Sequence, residues 1–330
     1  MNAIVIHAPH ELSFQSVALP PMTPTSVRVK TRLTSISAGT ERMTLDGRLP
    51  GMPQLQYPLI PGYENVGVVT AVGDEVDPSR LAVGDRVFLP GTVGHSDIFS
   101  VFGGQVSESV NDADRPVKLP AALSDETALL LALGATAHHG VRRCIDFVAD
   151  RAELAAADRP LAGRRALVLG QGVVGQLAAR ILSEYGAAVA VADIHPFRVG
   201  LSEADEFITI ADAPAAALPK DAFDVVFEAS GAPAAFDAAV HALKRRGLLL
   251  VLGFYESLVV SFGPAFIKEI HIALSGEWDA QDMTAALNWL SRNDAALHQL
   301  VTHQLPANNP ARAYDVALND PECLKIALTW

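Results

Sequence analysis

The chain reads as an α/β protein of two domains, an antiparallel barrel-like β unit followed by a doubly wound parallel sheet. Three observations carry that reading. From Met1 to about Pro120 short β-branched runs are broken by Gly and Pro, and from Arg165 to about Gly276 strand and helix patterns alternate. A length of 330 residues accommodates two cores rather than three. Hydrophobic residues make up 50% of the chain and mean hydropathy is +0.24, which excludes a disordered or fibrous chain and suits sheets buried on both faces.

The elements follow in order. Met1–His7 lacks a basic n-region and a long apolar stretch, so it reads as a first strand rather than a secretory leader, and a cytoplasmic protein is expected. Val27–Thr31, Val66–Val69 and Arg86–Phe88 continue the β unit. Ser124 is placed to N-cap a helix over Asp125–Val141, with Asp125 and Glu126 at its positive end. Asp146–Gly163, rich in Ala, Asp and Arg, reads as a polar insertion or an extra helix. The alternating part offers strands at Ala166–Leu169, Ala188–Ala192, Phe207–Ile210, Asp224–Ala229, Leu248–Leu252 and Ile270–Leu274, with helices running to Tyr185 and over Ala234–Arg245. An amphipathic helix at about Asp282–Leu290 opens a tail expected to return to the first domain. The division is therefore 1–123, completed by 277–330, against 124–276.

Composition closes several functional classes. The balance of 25 Lys+Arg against 37 Asp+Glu gives −12, with no basic run long enough to neutralise several phosphates, so nucleic acid is not an expected partner. The apolar stretches at Ala128–Ala137 and Leu248–Leu252 fall short of the roughly 18 residues a membrane-spanning helix needs. Two cysteines, Cys144 and Cys323, supply neither a disulfide framework nor a four-thiolate zinc site.

Gly170-Gln171-Gly172-Val173-Val174-Gly175 follows an apolar strand and opens a helix. In that context Gly170 permits the tight turn, Gly172 lets backbone approach a pyrophosphate, and Gly175 allows close helix–strand contact. Val173 and Val174 begin the helix whose N-terminus faces the phosphates. Asp193 ends the next strand, where a carboxylate accepts from both ribose hydroxyls and repels a 2′-phosphate, which favours NAD over NADP. Arg198 is the nearby group able to accommodate such a phosphate, and the carboxylate outweighs it. Ser230 and Gly253 lie at later strand ends, either as backbone contacts to the cofactor or as ordinary turns.

Ser37-Ala38-Gly39-Thr40-Glu41, Pro58–Gly67, Gly84-Asp85-Arg86-Val87 and the glycine motif, taken together, resemble the medium-chain dehydrogenase/reductases over nearly the whole chain. The resemblance implies a GroES-like β-barrel catalytic domain plus a Rossmann domain. It also implies that Ala38, Tyr63 and about Leu131 stand where the zinc alcohol dehydrogenases of that family carry metal ligands, so no metal is expected and the enzyme reads as zinc-free. One branch, acting on the hydroxyethyl group of a bacteriochlorophyllide, is similar through Asp46–Pro50, Tyr57–Glu64, Phe102-Gly103-Gly104, Ala135–His139, Gly253-Phe254-Tyr255, Glu277-Trp278 and Cys323-Leu324-Lys325. Gly51–Gln56, Gly91–Phe99 and Asp146–Gly163 depart from it, which leaves open a sister enzyme with another alcohol, ketone, quinone or enone.

What this implies is NAD-dependent oxidation of a 3-(1-hydroxyethyl) group on a (bacterio)chlorophyllide to 3-acetyl, in bacteriochlorophyll biosynthesis, by a homodimer. Thr40 is the first choice for orienting the alcohol or relaying its proton, and Tyr63 for hydrogen-bonding the developing alkoxide. His138 or His139 is the candidate terminal base; adjacent helix residues point about 100° apart, so at most one faces a given cleft, and either is equally a packed or exposed histidine. Glu41 and Glu64 read as loop-fixing partners or as participants. Two rivals stand beside this reading: a zinc-free NADPH reductase, which Asp193 opposes, and a non-catalytic NAD-binding protein, which Thr40 and Tyr63 oppose.

Overall fold

The computed structural model describes residues 1–50, 52, 55–95, 98–148, 158–210 and 217–330. Residues 149–157 of the expected insertion, and residues 51, 53, 54, 96 and 97 of the two divergent loops, lie outside the described residues. The Cα packing divides the chain into two units, Met1–Ala132 with Leu287–Trp330, and Leu133–Ala286.

The first unit is built on antiparallel β-structure. Its strands are β1 (Asn2–Ala8), β2 (Glu11–Ser16), β3 (Ser26–Ser35), β4 (Leu59–Ile60), β5 (Asn65–Val72), β6 (Arg86–Leu89), β7 (Phe99–Ser100), β8 (Glu108–Asp112) and β9 (Val117–Lys118). Strand β3 shows why. Val27, Val29, Thr31 and Leu33 are buried while Lys30 and Arg32 face water, the period of two that a half-buried strand requires. It pairs with both β5 and β8, and Val27, Val29, Val69, Leu81, Val87 and Leu89 form one core.

The C-terminal tail completes this unit. Two strands of the tail, Ile326–Thr329 and His303–Pro306, extend the sheet from the edge of β3. A second core gathers Ile4, Ile6 and Leu59 from the N-terminal half with Tyr314, Ile326 and Leu328 from the tail. Each such side chain contributes about 1.5–3 kcal/mol by leaving water, so the tail is integral to the unit. The pattern of apolar residues missed helices here, Ala38–Leu45, Asp294–Leu297 and Pro310–Asn319 among the described residues. Ala38–Leu45 (α1) has a low apolar periodicity, and Pro310–Asn319 carries its signal in Asn309, whose side chain accepts from the Arg312 N–H, and in Pro310 at the first turn.

The second unit is a six-stranded parallel sheet. Its strands are β10 (Arg165–Leu169), β11 (Ala188–Asp193), β12 (Glu206–Thr209), β13 (Phe223–Glu228), β14 (Leu243–Val251) and β15 (His271–Leu274), in the order β12-β11-β10-β13-β14-β15. Strand order reverses beside β10, and the crevice at the carboxyl end of such a reversal is where doubly wound sheets bind ligands. The expected helix over Ala234–Arg245 ends at Ala242. Leu243 is fully buried and pairs with Phe223, so sheet pairing overrides the helical preference of Lys244 and Arg245. The helix expected to run from Asp125 breaks after Ala128 and resumes over Leu131–Val148. No helix among the described residues is long and apolar enough to cross a membrane.

Candidate active site

Two clusters of polar groups lie at the places the sequence singled out, one in each unit. In the first unit, Ser37 precedes α1 in extended conformation. An N-cap serine ordinarily turns its hydroxyl onto the first helical N–H groups, but this one makes no cap bond. It accepts instead from the Tyr63 hydroxyl at 2.5 Å. Thr40 Oγ1 lies 3.5 Å from the same phenol. Thr40 is half-buried, whereas Ser37 and Tyr63 are buried, and Phe102 meets the Tyr63 ring edge-on. Burial, with the Glu64 carboxylate beside it, pushes the Tyr63 phenol well up, so it stays protonated.

Beneath these hydroxyls lie two buried carboxylates in different surroundings. Glu64 pairs with the Lys325 ammonium at 2.5 Å, and both side chains are almost wholly excluded from water. Burial pushes the Glu64 carboxyl up, and the lysine opposes that shift. Among the described residues its Oε1 has no hydrogen-bond partner. Glu41 reaches back to the Ser37 N–H at 3.1 Å and accepts from the Tyr314 hydroxyl. Burial moves Glu41 up to about 7. At the positions compared with metal ligands, Ala38 is an exposed methyl and Leu131 a fully buried aliphatic, so neither offers a donor.

In the second unit the glycine motif builds a cradle. Gly170 takes φ +88°, and a Cβ there would meet the Ser230 backbone at 2.5 Å. A Cβ on Gly175 would stand 1.9 Å from the Gly170 carbonyl oxygen. At Gly172, by contrast, no described atom beyond its chain neighbours lies within 4 Å of an added Cβ, which leaves that face open beside the N-terminus of the helix Val173–Glu184. Asp193 ends β11 and accepts from the Gln171 N–H at 2.6 Å and the His195 N–H at 2.8 Å. Each carboxylate oxygen keeps a lone pair for a ribose hydroxyl. The cradle fits a dinucleotide: an open backbone face at a helix N-terminus for phosphates and a fixed carboxylate for ribose. Arg198, half-buried on the next helix, accepts at its carbonyl from Gln176.

The far wall of the cradle turns on Glu228, which no local sequence pattern singles out. It ends β13 fully buried, and takes donors from the Ser230 N–H at 2.8 Å, the Ser230 hydroxyl and the Tyr255 hydroxyl. A Cβ on Gly253 would meet its Oε2 at 2.5 Å, so Ser230, Gly253 and Tyr255 are all fixed around one carboxylate.

His138 is buried on the helix Leu131–Val148 in the second unit. His139 Nδ1 lies 2.8 Å from Asp282 Oδ2. His139, Asp279 and Asp282 bring ligand atoms within 4.8 Å of one another, but Arg142 donates to both aspartates and supplies the cluster with its positive charge. Phe99 and Phe254 are exposed and Phe102 is half-buried.

Comparison with known proteins agrees with both units. Residues 23–121 match the alcohol dehydrogenase GroES-like domain, and residues 173–292 match the zinc-binding dehydrogenase domain. The chain is 32% identical to the 2-desacetyl-2-hydroxyethyl bacteriochlorophyllide A dehydrogenases of Cereibacter sphaeroides and Rhodobacter capsulatus, with 100% of this chain and 98% of each relative covered. A solved structure from Escherichia coli CFT073, described as an alcohol dehydrogenase complexed with NADH, superposes with a TM-score of 0.80 at 23% identity, covering 100% of this chain and 99% of that one. The chain belongs to the medium-chain zinc-binding dehydrogenase family, oxidoreductases that act on CH–OH groups of small molecules with NAD(P).

Proposed function

We propose that this chain is an NAD-dependent dehydrogenase that oxidises the 3-(1-hydroxyethyl) group of a (bacterio)chlorophyllide to 3-acetyl, without zinc at the Thr40–Tyr63 site. The observation that carries this reading is the donor set there. Two hydroxyls and a protonated phenol stand over a Glu64–Lys325 pair, and neither Ala38 nor Leu131 has a ligand atom. Such a set does not fit a tetrahedral zinc site, whose protein ligands are thiolate, imidazole or carboxylate, because the hydroxyls and the phenol are neutral and Glu64 is paired with Lys325. It does fit hydrogen-bonded polarisation of an alcohol, where each well-placed donor is worth roughly 3 kcal/mol in the transition state. Full-length likeness to the two bacteriochlorophyllide dehydrogenases supports the substrate class.

In this reading Thr40 orients the alcohol oxygen. A nicotinamide held in the cradle would supply the hydride acceptor for the carbon-bound hydrogen, and Thr40 would take the hydroxyl proton. Gly170, Gly172, Val173, Val174, Gly175, Ser230 and Gly253 line the dinucleotide, and Asp193 takes the ribose. The test is NADH formation at 340 nm with NAD and a 3-hydroxyethyl chlorophyllide, before and after chelation. Turnover that survives chelation is expected, at a rate with NAD at least tenfold that with NADP; loss of turnover on chelation, restored by zinc alone, would sink the metal-free reading.

Homodimerisation is proposed through β15, the edge strand of its sheet among the described residues, where Ile272 and Leu274 are 45% and 58% exposed. An unpaired strand edge carrying apolar side chains is suited to pairing with another strand. Sedimentation at micromolar concentration is expected to give a dimer that Ile272→Lys converts to monomer; a monomeric wild-type chain overturns the assignment.

A further inference from the structure

The glycine turn of the cradle has a carboxylate on each side of it, and the sheet sets the two in register. Leu169, the residue before Gly170, is flanked on one side by Ala192, which precedes Asp193, and on the other by Glu228. Asp193 is the side read as taking the adenosine ribose. A dinucleotide bound across such a strand reversal lays its second half over the strands on the other side, so its nicotinamide end belongs to β13 and β14. We propose that the Glu228 carboxylate is a charge-selecting residue for that end: it favours the cationic oxidised nicotinamide over the neutral reduced one, and so sets the balance between NAD loading and NADH release. The inference rests on reading the cradle as the dinucleotide site.

The hydrogen bonds around Glu228 are those of a carboxylate. Its Oε1 accepts from the Ser230 N–H at 2.8 Å and from the Ser230 hydroxyl, its Oε2 accepts from the Tyr255 hydroxyl, and the Gly231 N–H is a further donor. The Ser230 hydroxyl oxygen itself accepts from the Ala232 N–H at 3.1 Å, which leaves its proton to be given to Glu228. An ionised carboxylate accepts only, and each of these neighbours donates. Burial pushes the Glu228 carboxyl up, and the same donors oppose that shift.

What this carboxylate lacks is a cation. Glu64 is balanced by Lys325 and Asp282 by Arg142, whereas among the described residues no ion pair reaches Glu228. Hydrogen-bond dipoles alone hold its charge, so a cation arriving beside it is the partner that the fold leaves out. Its place suits that role. Glu228 is fully buried, while Ser230 and Gly231, which cover it, are exposed and Tyr255 is half-buried. Its carbonyl is fixed by the Leu252 and Gly253 N–H groups at 2.8 and 2.9 Å, and its Oε2 stands 2.5 Å from where a Gly253 Cβ would be. The charge therefore lies directly behind the backbone of the wall, in a medium where a field reaches further than in water. Accepting a hydride takes a nicotinamide ring from one positive charge to none, so a fixed negative charge acts on the oxidised form alone. Glu228 is thus a positioning residue that acts on the cofactor through Ser230, Gly253 and its own field, and takes no proton from the alcohol.

Calorimetric titration of the full chain at pH 8 with NAD and with NADH, without any alcohol, reads the selection directly. Glu228→Gln keeps the size of the side chain and an acceptor for the Ser230 N–H but loses the charge. It is expected to bind NAD on the order of tenfold more weakly and NADH within about twofold of the wild type, the scale of one charge acting on another through a protein's effective dielectric. A tenfold change in that ratio raises the potential of the bound couple by about 30 mV. Equal weakening of both forms would show that the carboxylate only shapes the wall, and overturns the proposal, as does an unaltered ratio. A second reading needs no variant. Benzamide adenine dinucleotide carries an uncharged ring of the same shape, and the wild type is expected to bind it about tenfold more weakly than NAD; equal or tighter binding overturns the proposal even if Glu228→Gln does not fold. If the chain prefers NADP, the same ratio is read with NADP and NADPH, because the 2′-phosphate lies at the Asp193 end. A wild type that binds none of these dinucleotides refutes the cradle itself, whereas binding with a charge-blind ratio refutes only the role of Glu228.

Discussion

Lys325→Met is expected to destabilise the folded chain by about 3–5 kcal/mol at pH 8, the cost of leaving one partner of a buried pair charged and alone. Glu64 and Lys325 are 0% and 1% exposed at their side chains. Among the described residues the Glu64 Oε1 has no hydrogen-bond partner, and the lysine on its other oxygen is what compensates the charge. The loss should depend on pH in a stated direction. Burial raises the Glu64 carboxyl even with the lysine present, and without it the shift upward grows. A carboxyl whose folded value lies above its unfolded one binds more protons when folded, so stability is highest at low pH and is lost as pH rises through the folded value. Urea unfolding at pH 5 and pH 8 reads this: the deficit of Lys325→Met is expected to be markedly smaller at pH 5. Lys325→Met combined with Glu64→Leu is expected to recover most of it, since an apolar pair of similar volume is often as stable as a buried ion pair. A single variant as stable as wild type at pH 8 would show that Glu64 already carries a proton in the folded chain.

The same pair shows where reading the sequence stops. Glycine spacing, strand alternation and a carboxylate at a strand end are local patterns, and they pointed to the parallel sheet, the tight turn after β10 and the end of β11 at Asp193 because each is fixed by a short stretch of chain. Thr40 and Tyr63 were legible as a pair through resemblance alone. The partners of that pair were not. Glu64 and Lys325 are separated by 261 positions, and Glu41 and Tyr314 by 273. Nothing in local composition links them; they meet because the tail returns to the sheet beside β3. Ser37 lay within a motif already singled out, and what concealed its role was its position as an N-cap, where a serine needs no further explanation. Glu228 was hidden differently, as one more residue in an apolar strand; only its burial shows that it holds Ser230 and Tyr255 in place.

Gly175→Ala is expected to weaken NADH binding by at least about 100-fold, or roughly 3 kcal/mol, although it adds a single methyl group. The methyl would stand 1.9 Å from the Gly170 carbonyl oxygen, and neither side can yield cheaply. Gly170 is held by its own N–H to Ala192 and abuts the Ser230 backbone, while Gly175 lies within a buried helix packed on β10 and β11. The helix must therefore move off the sheet, which costs stability as overpacking does. Its N–H groups then leave the phosphates. Gly172→Ala provides the contrast. Its methyl meets no described atom beyond its chain neighbours within 4 Å and would occupy the open face of the cradle, so it is expected to fold with wild-type stability and still bind NADH poorly. Fluorescence titration with NADH, beside urea unfolding, separates the two: loss of binding with loss of stability for Gly175→Ala, loss of binding alone for Gly172→Ala. If Gly172→Ala bound NADH as the wild type does, the pyrophosphate would not lie over that turn, and the assignment of the cradle would fail with it.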